Sequence, residues 1–238
     1  MHLDFKKIVF LDIETVPEEE SFDLLSKTKQ ELFALKTSYQ RKDEIEAEDF
    51  YHRAGIWAEF GKIVCISIGF FSDYNKDLRT FRVKSFYGTD EKEILNQFKA
   101  LIDSYFKGVD WLFCAHNGKE FDFPFIARRM IINKIPLPEK LKYAGKKPWE
   151  IPHIDTMEMW KFGDYKHYTS LKLLTNILDI PTPKDDIDGS QVAEVYYKEK
   201  DIERIKTYCE KDTIAVAQLL LRFENEELLT VNDIVQVD

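Results

Sequence analysis

Lys7-Ile-Val-Phe-Leu-Asp-Ile-Glu-Thr15 is the stretch from which the rest of the chain is read. A near-continuous apolar run such as Ile8 to Leu11 is how a strand reads when both of its faces are covered. A sheet with helices on both sides is therefore expected. The run ends in Asp12-Ile-Glu14. Side chains two apart in a strand share a face, so both carboxylates project from one side of a buried strand. They repel each other and lose hydration. A hard divalent cation is the simplest compensation. Acids are common in this chain, 43 of 238 residues, so the pair alone carries little weight. Its place behind a buried apolar run is what makes it informative.

Outward from this strand, residues 17–61 read as an insertion. They hold eleven acids against six bases, with Phe22, Leu25, Leu32, Leu35 and Tyr39 at helical spacing. Strands follow at Lys62–Phe70 and Leu78–Phe86. Asp90 and Glu93 give a capping signal for a helix that presents Ile94, Leu95, Phe98, Leu101, Ile102, Tyr105 and Phe106 on one face. Trp111–Ala115 reads as a further strand, His116-Asn-Gly118 as a turn, and a helix starts near Phe123 with Pro124 in its first turn. Residues 136–152 read as loop and Ile154–Met159 as a short strand or helix start. Thr169 or Ser170 caps a helix running through Leu178. A long last helix starts near Asp201 and passes Leu220. Early strands and late helices make a mixed α/β protein, expected as a single domain over 1–238 with a C-terminal extension at 223–238.

Several function classes drop out. The net charge of −9 argues against nucleic-acid binding through a global basic surface. Cys65, Cys114 and Cys209 have neither zinc spacing nor a disulfide framework, and read as buried reduced thiols. Gly55–Lys62 fails as a phosphate loop, because its glycines are misspaced and it precedes a strand. His2, His52, His116, His153 and His167 form no close pair and read as surface or turn residues. Met1–Lys7 does not read as a signal peptide, so none is expected, and the longest apolar run, Ile63–Phe71, is too short to span a bilayer. A cytoplasmic protein without membrane contact is expected.

Two more acidic segments matter. Asn117-Gly-Lys-Glu-Phe-Asp122 follows a strand, where ligands collect in α/β sheets, although Asp122 is also placed to cap the next helix. Tyr208 and Asp212 are four apart in the last helix and share a face, at the edge of a buried stripe of Ile205, Cys209 and Val216. In order, Asp12-Ile-Glu14, Asn117–Asp122 and Tyr208–Asp212 resemble the three motifs of the DEDDy 3'–5' exonucleases of the ribonuclease H-like superfamily. Phe121-Asp-Phe-Pro-Phe-Ile126 looks especially like the exonuclease domain of family B DNA polymerases. The related subclass places His five residues before the last Asp; here that position is Thr207.

The resemblance implies a ribonuclease H-like mixed sheet flanked by helices, with the helical insertion after the first strand. It implies two divalent cations, Mg2+ or Mn2+, at Asp12, Glu14, Asp122 and Asp212, with Asp12 bridging. Tyr208 then orients the attacking water or a phosphate oxygen, since its ordinary pKa near 10 makes it a poor base at neutral pH. Ile13, Thr15 and Val16 through their backbone, with Asn117 and Phe121, are expected to hold the terminal nucleotide; Phe121 also suits the core. The implied substrate is single-stranded nucleic acid, DNA ahead of RNA. An exoribonuclease with the same site, or an idle binding module on the same fold, are the alternatives. An idle site has no need of clustered acids.

Residues 127–147 carry Arg128, Arg129, Lys134, Lys140, Lys142, Lys146 and Lys147 against Glu139 alone. With Tyr143 and Trp149 nearby they form either a strand guide or a solvated loop. Asp155 reads as a helix cap or as support for a metal ligand. The 17–61 segment is a candidate cover for the site or a docking place for a protein partner. With 26 residues after Asp212, an attached polymerase domain is not expected.

Overall fold

The computed structural model describes residues 3–41, 45–75, 78–164, 168–181 and 187–237. His2 and His167 lie outside them. The strands are β1 (Ile8–Pro17), β2 (Gly61–Tyr74), β3 (Arg79–Tyr87), β4 (Leu112–Ala115), β5 (Ile154–Asp155) and β6 (Ile234–Gln236). They form one sheet in the order β5-β4-β1-β2-β3-β6. β2 runs antiparallel to both β1 and β3, while the pairs β1/β4, β4/β5 and β3/β6 are parallel. The helices are α1 (Lys27–Thr37), α2 (Ala47–Phe50), α3 (Glu91–Tyr105), α4 (Asp122–Ile132), α5 (Thr156–Lys161), α6 (Leu171–Ile177), α7 (Val192–Glu194) and α8 (Ile202–Phe223). This is the mixed sheet flanked by helices that the ribonuclease H-like reading expects.

Alternation along β1 divides the core. Val9, Leu11 and Ile13 pack with Ile94, Leu95 and Phe98 of α3 and Phe123 and Ile126 of α4. Ile8 and Phe10 point the other way, into a cluster with Val216, Ala217 and Leu220 of α8. Phe10 is fully buried against Phe71 and Phe81, and burying one such side chain contributes about 1.5–3 kcal/mol. Asp12 is next in the Ile8–Phe10 series and so faces α8. Caps set the helix starts. Asp90 accepts from the amides of Lys92 and Glu93, Ser170 from Leu173, and Asp201 from Arg204.

The insertion is helical, but its buried face is not the one its spacing predicts. Leu32, Leu35 and Tyr39 are 52%, 73% and 77% exposed, while Phe33 is fully buried. The helix is only Lys27–Thr37, so Phe22, Leu25 and Tyr39 lie outside it and the apparent period crosses its ends. Phe33 instead centres a small aromatic core with Tyr51, Trp57 and Phe60. Tyr105, expected on the inner face of α3, is exposed.

Arg129 is a second departure. It is buried, and it donates to Glu91 at 2.8 and 2.5 Å and to the Ala58 carbonyl at 2.8 Å. Glu91 also accepts from the Ile63 amide and from Asn133. One guanidinium thus joins α4, α3 and the entry to β2, and it is spent inside the fold rather than on a basic surface. Beyond Phe223 the chain returns to add β6. Gln236 donates to Glu210 of α8 at 2.8 Å, and Glu210 accepts from Ser85 at the same distance.

Removing one partner of a buried pair leaves an unpaired charge and costs about 3–5 kcal/mol. Glu91→Ala is expected to lose that much stability in urea unfolding. Glu91→Leu with Arg129→Met should lose clearly less, because no charge is stranded.

Candidate active site

A shift of register in β1 between Glu14 and Thr15 follows two residues whose side chains lie on the α8 side. Asp12 pairs with Ser67 and Glu14 with Cys65 across β2. α8 crosses above them. The Cys209 thiol lies 3.3 Å from Asp12 Oδ2 and 3.4 Å from the Asp12 carbonyl oxygen. This contact sets the rotation of the helix over the strand. Tyr208 precedes the thiol and Asp212 follows it within one turn, so both come to the same place, and the Tyr208 hydroxyl is hydrogen-bonded to Asp212. Donor atoms of Asp12, Glu14 and Cys209 all fall within 4.8 Å of one another. The sequence reading placed Cys209 in the buried stripe but missed that its S–H serves Asp12.

Asp122 arrives from α4. Phe121 holds the N-cap position, and Asp122 is the buried first residue of the helix. Its carboxylate accepts from the Ile13 amide and from its own, so it ties α4 to β1 rather than merely capping. Asp155 does cap α5, accepting from Met157 and Glu158. It also accepts from the amides of Asn117 and Lys119, each at 3.0 Å. That grip holds Asn117 in the left-handed conformation, φ 62°. Asn117 Oδ1 is buried, with no hydrogen-bond partner among the described residues. A buried acceptor left open costs about 1–3 kcal/mol, which a bound donor would recover.

The charges show what the arrangement lacks. Withdrawal from water, then Glu14, Asp212 and Asp122, pushes Asp12 well above the carboxylate range, although Asp12 opens in part on the cleft. Burial, then Asp212, Cys65 and Asp122, does the same to Glu14. Burial pushes Asp122 up to about 8, with Asp155 and Asp212 adding to it and backbone amides opposing. Tyr208 is raised by burial, then by Asp212, Glu14 and Asp12. Among the named neighbours that shift the three carboxylates there is no cation. A set of hard carboxylate oxygens under mutual repulsion fits Mg2+ or Mn2+.

Two clefts meet here. One of about 610 Å3 is lined by Asp12, Glu14, Asp122, Asn117 and Phe121 on one side and by His52, Arg53 and Ile56 on the other. A second of about 370 Å3 runs past Tyr208, Asp212 and Lys172. Asp12, His116, Tyr168 and Gly189 belong to both. Ile13 and Thr15 line the larger cleft, whereas Val16 is fully buried in the core beside Val64 and Val192. Phe121 is half-buried, with its ring 5.4 Å from that of Phe125. The insertion therefore builds a wall of the cleft. It is seated there by Gly55, whose carbonyl accepts from the Thr15 hydroxyl at 2.8 Å. A Cβ on Gly55 would stand 3.2 Å from the Val16 carbonyl carbon, tighter than ordinary van der Waals contact, so a side chain there would press the segment back by a few tenths of an ångström.

Two histidines are not surface residues. His153 is buried, accepts from the Phe113 amide through Nδ1 and donates to the Lys140 carbonyl through Nε2; burial lowers its pKa to about 4. His116 bridges Thr156 and the Thr169 carbonyl and is likewise lowered by burial. All three cysteines are free and buried. Among the described residues no helix is long and apolar enough to cross a membrane.

Residues 56–231 match the model of a family described as a predicted 3'-5' exonuclease related to the exonuclease domain of PolB. The span includes Asn117, Asp122, Tyr208 and Asp212, while Asp12 and Glu14 lie ahead of it. Among solved structures the chain is similar to the family B DNA polymerase of the hyperthermophilic archaeon Pyrobaculum calidifontis, with a TM-score of 0.54 and 13% identity. That likeness covers 90% of this chain and 24% of the polymerase; it is a likeness of fold.

The folded pKa of Asp122 lies above its unfolded value near 4. Its contribution is present below the unfolded pKa and is lost as pH rises through the folded one. His116 and His153, lowered by burial, act in the opposite sense below about 6.5. The carboxylate effect is therefore read as a difference. In chelator, urea midpoints of wild type should fall relative to Asp122→Asn as pH rises from 4.5 to about 8. A constant difference would contradict the assigned charge state.

Proposed function

Because this chain belongs to the family of predicted 3'-5' exonucleases related to the exonuclease domain of PolB, we propose that it hydrolyses phosphodiester bonds at the 3' end of single-stranded DNA. Nucleoside monophosphates are the products. The observation that carries this reading is the convergence of Asp12, Glu14, Asp122 and Asp212 at the junction of two clefts, where burial first, and Asp212 among the neighbouring charges, raise the pKa values of the other three. Such a site would become tolerable with two dications, Mg2+ or Mn2+, which these four side chains would hold. When bound, they would activate water and neutralise the oxygen that leaves.

The chain's own residues supply position and protons. Tyr208 is pushed above its ordinary pKa by burial and by the acids around it, so its hydroxyl stays protonated. It acts as a hydrogen-bond donor that orients the attacking water or a phosphate oxygen, and not as a base. The Cys209 thiol holds Asp12 in place. Asn117, with its open buried acceptor, suits a sugar hydroxyl of the terminal nucleotide. Phe121 offers the base the part of its ring that the core leaves uncovered, and Ile13 and Thr15 edge the same space, while Val16, buried in the core, does not reach it. DNA stands ahead of RNA because the family description ties the chain to a DNA polymerase domain. An exoribonuclease and an idle binding module are the outcomes that compete with it.

A time course on 5'-labelled single-stranded DNA and RNA, with Mg2+, Mn2+ or chelator, tests the reading. A ladder shortening from the 3' end on DNA, absent in chelator, is expected. Asp12→Ala and Asp212→Ala should abolish it. Tyr208→Phe should lower the rate by about ten- to a hundredfold, the loss of one hydrogen bond to a charged group at about 1.5–3 kcal/mol. Full turnover in either alanine variant would end the metal-site assignment. Binding without a ladder would point to the idle module.

A further inference from the structure

A pocket of about 260 Å3 lies away from the carboxylates, lined by Lys107, Lys140, Lys142, Tyr143, Lys146 and His153 among others. Its lysines come from two separate segments, the turn after α3 and the loop between α4 and β5. We propose that this pocket binds backbone phosphates of the substrate strand on the 5' side of the bond being cut. This rests on the proposed function and gives its substrate a second point of attachment.

Three observations carry it. Four lysines line the pocket with one acid, Glu139, which is already in contact with Lys142; Asp110, itself paired with Lys7, also acts on Lys140. In a chain of net charge −9, this is a concentration of positive charge that repels itself until an anion enters. Lys140 is held in place from inside. Its ammonium donates to the Trp111 carbonyl, and its own carbonyl is gripped by buried His153. The Tyr143 hydroxyl is buried and has no hydrogen-bond partner among the described residues. A phosphate oxygen is the acceptor it lacks.

Position favours a polymer over a free phosphate. Lys107 and Val109 precede β4, while Asn117 follows its far end. At about 3.3 Å per residue the pocket and the carboxylates are separated on the order of 15 Å. Burial raises the Tyr143 pKa, with Arg128 opposing and Asp122 adding, so Tyr143 lies within electrostatic reach of the carboxylates. On the same loop Trp149 is 76% exposed, with the Lys147 ammonium 5.2 Å from its ring centre. An exposed ring beside cations is a platform on which a base stacks. The basic run at 127–147 is thus reassigned. Arg129 is spent in the core, Lys107 joins from outside the run, and Lys140, Lys142 and Lys146 face the pocket.

The test measures binding apart from hydrolysis. Fluorescence anisotropy of a long labelled single DNA strand in chelator is compared for wild type, Lys107→Gln/Lys142→Gln/Lys146→Gln, and a control triple, Lys27→Gln/Lys36→Gln/Lys92→Gln. Each phosphate contact on a single strand contributes about 0.7 to the slope of log affinity against log salt. The pocket triple should lose about 2 from that slope and bind at least tenfold more weakly at low salt. The control should match wild type, and Tyr143→Phe should weaken binding with the slope unchanged. KM for the long strand should rise in the pocket triple while cleavage of a dinucleotide stays as in wild type. An unchanged slope, or equal loss in the control triple, overturns the pocket. So does competition by inorganic phosphate or a mononucleotide as effective as that by the strand. Wild type that binds the strand with the predicted slope but never shortens it would instead overturn the exonuclease reading and leave the pocket standing.

Discussion

Repulsion among carboxylates is the constraint around which this molecule is arranged. Asp12, Glu14 and Asp122 are drawn from water and face one another and Asp212. Each is held by a group that forbids relaxation. The Cys209 thiol holds Asp12, the sheet register holds Glu14, and the Ile13 amide holds Asp122. Those restraints come from β1, α4 and α8, so the whole sandwich of sheet and helices keeps the acids together. Left to local energetics, the acids would turn towards water, as acids elsewhere on the surface do. A site that stores repulsion in this way trades stability for the cation binding proposed above.

Much of this was readable in one dimension because it depends on local rules. The β1 run, the caps at Asp90, Ser170 and Asp201, and the spacing of Tyr208 and Asp212 all act within a few residues. They gave the elements and the approach of the acids. What escaped was set by partners far away in the chain. Nothing local marks Arg129 as the mate of Glu91, 38 positions away, or Cys209 as the donor to Asp12. Phe33 looked like one apolar residue among many, since which face of α1 is buried depends on Tyr51, Trp57 and Phe60. His153 read as a surface or turn residue because its partners, the Phe113 amide and the Lys140 carbonyl, belong to other segments. The last strand, β6, is too short to stand out without β3 beside it.

Asp155 shows how one residue serves structure and site together. Read from sequence it was a cap or a support; it is a cap for α5 and also the clamp on the Asn117–Lys119 turn. One carboxylate thus starts a helix through Oδ1 and, through both oxygens, fixes the backbone that presents Asn117. Its burial beside Asp122 adds to the repulsion felt there. Stability and the shape of the cleft are carried by common parts, and one cannot be altered without the other.

The wall built by the inserted segment is fastened at several points. Thr15 holds Gly55, Arg129 holds the Ala58 carbonyl, and Tyr197 donates to the Pro17 carbonyl at 2.6 Å. A jaw bolted to the central strand and to α4 does not swing open like a hinged lid. On the proposed reading, the groove that receives the strand is therefore cut by the fold itself and not assembled on arrival.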